Sequence, residues 1–262
     1  MSSIDDLALW SAPFGLVLLD VVRLRPGMRL LDVGCGPGFP LLELAGRLGP
    51  GARAVGLDPW AAALDRARGK ARQRGLETVE LVEGAAEAMP FADASFDVVV
   101  SNNGLNNVAD QARSYAECRR VLAPGGQLVA TMNLPASMHE LYEPFAAILR
   151  EREGEAGVRR LQEHIAARRQ PVAQTTAALE RAGFEVVRVL ERSFTLRFAS
   201  ARALFTSPFI RLAFLDAWRA VPAPAQTDEA MRELEARLEA VARARGEVGL
   251  SIPFACWEAR AR

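Results

Sequence analysis

The sequence predicts an α/β fold: a doubly wound, mostly parallel sheet with a helical cap. Three observations predict it. Short apolar runs alternate with helix-length amphipathic stretches from residue 29 to 130, the rhythm of a parallel sheet covered by helices on both faces. The first run, Arg29 to Val33, opens into glycines at alternate positions, Gly34, Gly36 and Gly38; the second, Ala54-Val55-Gly56-Leu57, ends in Asp58. After residue 135 the pattern turns helical and aromatic, with far more chain than the sheet alone requires.

The elements follow in order. Ile4 to Leu24 predicts one or two short helices, with Trp10 and Phe14 either covering the ligand end of the sheet or serving packing alone. Strands are expected near 29–33, 53–57, 78–82, 96–101 and 126–132, and helices near 39–48, 60–74 and 110–122. In the segment from Trp60 to Arg74, Leu64, Ala67 and Ala71 fall at helical spacing. Arg66, Arg68, Lys70, Arg72 and Arg74 lie mostly elsewhere and read as a solvated face. Pro135 opens a helical stretch to about Arg169, and Val172 to Arg181 forms a helix closed by Gly183. Phe184 to Phe198, rich in β-branched and aromatic residues, reads as a strand or hairpin. Ala199 to Arg219 carries Leu204, Phe205, Phe209, Leu212, Phe214, Leu215 and Trp218 before Pro222 and Pro224 break the chain. Thr227 or Asp228 is expected to cap a helix with Met231, Leu234, Leu238 and Val241 on one face and Gly246 at its end; Gly249 to Trp257 is the last strand.

Composition narrows the function. The 262 residues carry zero formal charge and are 50% hydrophobic, so a large core is available and no broad basic field points to nucleic acid or an anionic membrane. The three cysteines, Cys35, Cys118 and Cys256, form no Cys-x-x-Cys pair, which predicts neither a disulfide framework nor a zinc site, and no metal is expected. Asp5 and Asp6 stand where a secretory signal needs positive charge, and no uncharged apolar run reaches membrane-spanning length. The expectation is a cytoplasmic protein without stable membrane insertion.

The glycine loop is suited to close approach of a ligand, because residues without Cβ accept positive φ and let main-chain atoms reach a bound molecule. An acid at the end of the second strand is where a doubly wound fold grips a ribose. Together Gly34, Gly36, Gly38 and Asp58 imply a nucleoside-containing cofactor. A dinucleotide fingerprint needs Gly-x-Gly-x-x-Gly, whereas position 39 is Phe39 and the spacing is Gly-x-Gly-x-Gly. A nicotinamide oxidoreductase is therefore disfavoured.

With that loop preceded by Asp32, the chain resembles the class I S-adenosylmethionine-dependent methyltransferases. Further matches follow in order: Glu83 to Phe91 resembles the adenine segment, Ser95 to Asn103 the fourth strand, and Arg120 to Leu128 the entry to the fifth. The resemblance covers residues 28–134. Methyltransferases of the ubiquinone and menaquinone biosynthetic type are the nearest look-alikes. It implies a seven-stranded sheet whose last strand is antiparallel. The implied organisation is a helical segment at 1–27, a cofactor-binding core at 28–134, and a cap at 135–262 that includes the last sheet strands, 183–198 and 248–258. It implies S-adenosyl-L-methionine as methyl donor, S-adenosyl-L-homocysteine as product, and a small, apolar or aromatic acceptor methylated at O, N or C.

Carried over residue by residue, Asp32 orients the loop and the methionyl amine, directly or through water, Gly34 and Gly36 approach the methionine moiety with their main chain, and Asp58 accepts from both ribose hydroxyls with Pro59 and Trp60 against the adenine. The family's adenine segment has an aspartate where this chain has Ala85; the Ala86 amide is expected at a ring nitrogen, and Glu87 is a candidate replacement carboxylate or a surface acid. Asn102 offers its backbone carbonyl to the methionyl amine or methyl. Asn103 and Asn106, near a place where similar enzymes often carry histidines, are candidates for orienting the acceptor, with turn formation the alternative. His139 is the candidate base and Tyr142 a neighbouring substrate contact, while His164 is expected at solvent. Two alternatives stand: a cofactor-binding protein without transfer activity, and transfer to rRNA or protein, which the neutral charge disfavours. The oligomeric state is left open.

Overall fold

The computed structural model describes residues 7–167 and 169–262; Ile4, Asp5 and Asp6, named in the sequence reading, lie outside them, as does Arg168 near the end of the expected helical stretch. Contacts divide the chain into two units. One, the sheet unit, comprises Leu7–Asn133, Pro171–Glu191 and Phe254–Arg262; the other, the helical unit, includes Leu134–Gln170 and Arg192–Pro253.

In the sheet unit, α1 (Leu7–Val21) precedes β1 (Arg29–Val33), α2 (Leu41–Leu48), β2 (Arg53–Asp58), α3 (Ala61–Gln73), β3 (Val79–Glu83), β4 (Phe96–Asn102), α4 (Gln111–Val121) and β5 (Leu122–Asn133). The seven-stranded sheet has the order β3-β2-β1-β4-β5-β7-β6, where β6 is Phe184–Phe198 and β7 is Val248–Ala261. β1 pairs in parallel with β2 and β4, and β7 runs antiparallel to β5, with Gln127 opposite Arg260 and Asn133 opposite Phe254. The expected class, strand count and antiparallel last strand are all present. The strands facing both helical layers are continuous apolar runs: Leu30, Leu31, Val98, Val99, Val100, Leu128, Val129 and Ala130 are all fully buried. Strand order reverses between β1 and β4, and that switch point is where an open α/β sheet leaves a crevice for ligands.

β5 begins four residues earlier than expected because Leu122 already pairs with Phe96; the Pro124-Gly125-Gly126 turn is absorbed as an irregularity before Gln127 pairs with Val98. Within α1, Phe14 is fully buried with its ring 4.7 Å from that of Phe254 and 5.3 Å from that of Trp10. A Cβ on Gly15 would lie 2.2 Å from the Phe39 ring, so α1 seats directly on the glycine loop.

The helical unit begins with α5 (His139–Glu153) and α6 (Glu155–Ala166), the expected single stretch being divided at Gly154, whose φ of +65° no helix continues. α7 (Val172–Arg181) has the predicted bounds and belongs to the sheet unit. The aromatic stretch forms short helices, Ala201–Thr206, Pro208–Ile210 and Asp216–Arg219, with a π-helical turn at Arg211–Leu215. The helix expected to be capped by Thr227 or Asp228 runs Thr227–Arg245 from Gln226 with no side-chain cap; the Thr227 hydroxyl instead donates to the carbonyls of Arg219 and Ala223. Gly246 closes it at φ +85° as predicted.

Candidate active site

The loop between β1 and α2 is held by its own amides. Gly34 and Cys35 donate to Leu57 O at 2.8 and 3.2 Å, Gly38 donates to Cys35 O at 2.9 Å, and Gly36 donates to Asp58 Oδ2 at 2.9 Å. Pro37 has no N–H. From Gly34 to Gly38 no amide is left to donate, so this loop is not built like the phosphate-cradling turn of a dinucleotide fold, which aims N–H groups at its ligand. The glycines have different tasks. A Cβ on Gly34 would sit 2.8 Å from Gly104 Cα, so its bareness lets the β1 and β4 loops touch, whereas a Cβ on Gly36 would meet nothing within 4 Å. Gly36, at φ +50°, therefore faces open space where a ligand can approach backbone.

Two carboxylates flank the loop and differ in their partners. Asp58 is nine-tenths buried; its Oδ1 accepts from Trp60 N at 2.8 Å and its Oδ2 from Gly36 N, leaving lone pairs for two further donors. Burial pushes its carboxyl up, opposed by the Trp60 and Gly36 amides. Asp32 is fully buried between Gly56 and Val100 on the neighbouring strands, and neither of its oxygens accepts a hydrogen bond. Burial first, and then the charge of Asp58, raise it to about 8; the Leu41 amide opposes this without hydrogen-bonding geometry. A buried carboxylate without a partner is either protonated or held for a cation.

The far ends of β4 and β5 carry amides. Asn102 Nδ2 donates to Ser11 O at 3.0 Å and its Oδ1 accepts from Thr131 Oγ1 at 2.9 Å, so its side chain ties α1 to the sheet. Asn103, at φ +60°, donates its N–H to Thr131 O at 2.9 Å, and its Oδ1 accepts from Asn106 Nδ2 at 2.5 Å and Asn133 N at 3.2 Å. Asn106 Nδ2 also donates to Asn133 Oδ1. Asn106 and Asn133 are buried and keep one carboxamide oxygen and one amide nitrogen uncommitted among the described residues. Asn133 escaped the sequence reading, although it closes β5 as Asn102 closes β4, and that shared position is the signal that identifies it.

Where adenine is expected, Pro59 and Trp60 are exposed, Trp60 by 41%, Ala85 is exposed and Ala86 buried. Glu87 does not replace the missing carboxylate. Its Oε1 accepts from Ala109 N at 2.7 Å and Asp110 N at 3.2 Å, pinning the loop before α4. The cysteines are buried and unpaired; burial holds Cys118 and Cys256 up at about 12 and raises Cys35, whose sulfur packs under Gly56.

Three predicted residues lie in the helical unit. His139 starts α5 with its side chain 48% exposed and Nδ1 3.3 Å from Ala136 O. Tyr142 is buried, and its hydroxyl lies 3.4 Å from His164 Nε2, which corrects the expectation of a solvent-facing His164.

Comparison with known proteins agrees with this geometry. Residues 31–130 match the family described as methyltransferase domain. Over residues 31–130 the chain is thus similar to a methyltransferase domain. It is 40% identical over 131 residues to an uncharacterised 37.1 kDa protein of transposon TN4556 from Streptomyces fradiae, covering 49% of this chain and 37% of that protein. It is 39% identical over 110 residues to a demethylmenaquinone methyltransferase of Listeria welshimeri, covering 42% of this chain and 47% of the relative. The matches thus span less than half the length of these curated relatives. A solved structure of a putative methyltransferase from Bacillus halodurans superposes with TM-score 0.62 at 21% identity, over 94% of this chain and 97% of that one. The residues present fit S-adenosylmethionine: Asp32 is a buried, unpartnered carboxyl that a cation would ionise, Gly36 leaves open space beside its backbone, and Asp58 keeps lone pairs free for further donors.

Proposed function

We propose that the chain transfers a methyl group from S-adenosylmethionine to O, N or C of a small, apolar or aromatic metabolite. The observation that carries the donor assignment is the pairing of a loop with no free N–H from Gly34 to Gly38 with a buried, unpartnered Asp32. That combination repels phosphate and accepts a cation. When bound, the cofactor supplies an electrophilic methyl on a sulfonium sulfur.

This chain's own residues do the rest. Asp32 holds the methionyl ammonium, Asp58 the ribose hydroxyls, Pro59 and Trp60 lie against the adenine, and the Ala86 amide reads a ring nitrogen. Asn102, locked by Ser11 and Thr131, presents its backbone at the end of β4. Asn103, Asn106 and Asn133 form a rigid amide cluster that orients the polar atom of the acceptor. No carboxamide removes a proton at neutral pH, so the chemistry rests on positioning and exclusion of water, with effective molarity the main source of rate. His139 is the proposed base where the acceptor needs one.

An apolar aromatic acceptor is supported by the relative named for demethylmenaquinone. A cytoplasmic location is supported by three unpaired buried cysteines; among the described residues no helix is long and apolar enough to cross a membrane. The test is incubation with methyl-labelled donor and metabolite extracts, with calorimetric titration of S-adenosylmethionine and NAD alongside. Labelled small-molecule product with NAD inert is expected. Donor binding with no product across varied extracts would favour a binding protein, and NAD binding would reject the donor assignment.

A further inference from the structure

Among the described residues of the helical unit, one buried cation meets no carboxylate. Arg152 pairs with Glu229 and Glu233, Arg160 with Glu153, Arg219 with Asp228 and Arg237 with Glu151 and Glu233. Arg169, by contrast, is only 6% exposed and meets no carboxylate among the described residues. Its Nη2 donates to the Tyr142 hydroxyl at 3.2 Å, its guanidinium carbon stands 5.2 Å from the Tyr142 ring centroid, and its buried Nη1 has no partner. A phenol and a ring face do not replace the hydration of a guanidinium, and withdrawing such an ion from water costs several kcal/mol unless an anion meets it.

The surroundings define what kind of anion. Tyr142 Oη also accepts from Trp218 Nε1 at 3.1 Å, so both its lone pairs are engaged and its proton is directed at His164 Nε2. Tyr142 is thereby fixed as a support for Arg169. Trp218 joins this polar cluster to an apolar one: its ring stacks on Phe214 at 5.6 Å and meets Phe205 edge-on at 6.4 Å, and Phe214 meets Phe209 at 5.5 Å. Phe205, Phe209 and Phe214 are partly exposed and Leu212 is 43% exposed, on and beside the π-helical turn Arg211–Leu215. Such turns are rare and recur at functional sites.

We propose that Arg169 is the recognition residue of a binding site for the carboxylate or phosphate end of a small molecule whose apolar body lies on the partly exposed Phe205, Phe209 and Phe214 rings, which the buried Trp218 backs. A planar guanidinium suits either group through paired N–H donors. Calling that molecule the methyl acceptor rests on the methyl-transfer reading; anion binding does not, and it is measured without donor.

The experiment is thermal unfolding and calorimetry of the full chain with sodium phosphate, acetate or benzoate, against sodium chloride at matched ionic strength. Wild type should show a saturable rise in Tm, about 5 °C at roughly fifty times Kd, with at least one oxyanion. Phosphate alone acting identifies a phosphorylated ligand; carboxylates alone acting identify an organic acid, with benzoate bound about tenfold more tightly than acetate. Arg169→Met should fold and lose the shift, and Arg169→Lys should keep a weakened one, which decides the matter if the methionine variant does not fold. No oxyanion response in wild type, or an equal response in Arg169→Met, overturns the site. Equal binding of acetate and benzoate overturns its apolar half.

Discussion

Among the described residues, each unit of this chain buries an ionisable side chain that meets no opposite charge, an acid in one and a base in the other. Asp32 in the sheet unit has two unpartnered oxygens, and Arg169 in the helical unit has an unpartnered nitrogen. The carboxylate has an escape that the guanidinium lacks: burial lifts Asp32 to about 8, so it is mostly neutral at pH 7, whereas arginine stays charged. The lesson concerns what each site can recognise. A neutralisable acid couples binding of a cation to release of a proton, while a permanent cation binds its anion without one and destabilises the fold until it does.

The largest expected effect breaks the sheet side of the comparison. Asp58→Ala removes the proposed ribose acceptor and the anchor of the Gly36 and Trp60 amides, and S-adenosylmethionine affinity should fall about 100-fold by calorimetry, from two charged hydrogen bonds. Unchanged affinity would refute the ribose assignment. Asp32→Asn should weaken the donor about tenfold at pH 8 and less at pH 6, because wild type itself loses affinity as pH falls below about 8 and Asp32 takes up its proton. The stability sign is opposite. A raised folded pKa means that the unliganded protein loses stability as pH rises from the unfolded carboxylate range near 4 to about 8, and Asp32→Asn should remove that loss in Tm measured across this window.

On the helical side, Arg169→Met without ligand should raise Tm by about 2–5 °C, since an uncompensated buried charge is replaced by an apolar chain of similar length. A fall of that size would mean that the guanidinium stabilises the fold by itself. The smallest effect sharpens the contrast: Glu87→Gln should cost about 1 kcal/mol in denaturant unfolding, for weakened bonds to Ala109 and Asp110, and change donor affinity less than about twofold.

The same two regions show what was legible in the sequence. The sheet unit was readable because its central strands are apolar runs punctuated by glycine and acid, so β1, β2 and β4 came from local pattern, as did the loop and Asp58, while the bounds of the largely exposed β6 came from its β-branched and aromatic content. Glu87 stayed open between two roles because its partners lie 22 and 23 residues downstream, and nothing local distinguishes a carboxylate aimed at a ligand from one aimed at a loop amide. Arg169 was invisible for a stronger reason. Its burial depends on Tyr142, 27 residues before it, and on Trp218, which joins Tyr142 across 76 residues; in sequence it is one arginine among many at a helix end. His164 was likewise assigned to solvent from polar neighbours, while its Nε2 lies 3.4 Å from the Tyr142 hydroxyl.

The most direct test is titration of S-adenosylmethionine at pH 7 in two buffers of different ionisation enthalpy, for wild type and Asp32→Asn. The proposed site predicts tight binding with release of close to one proton in wild type, and weaker binding with none in the variant. Absence of binding, or the same proton count in both proteins, would contradict Asp32 as the residue that receives the methionyl ammonium.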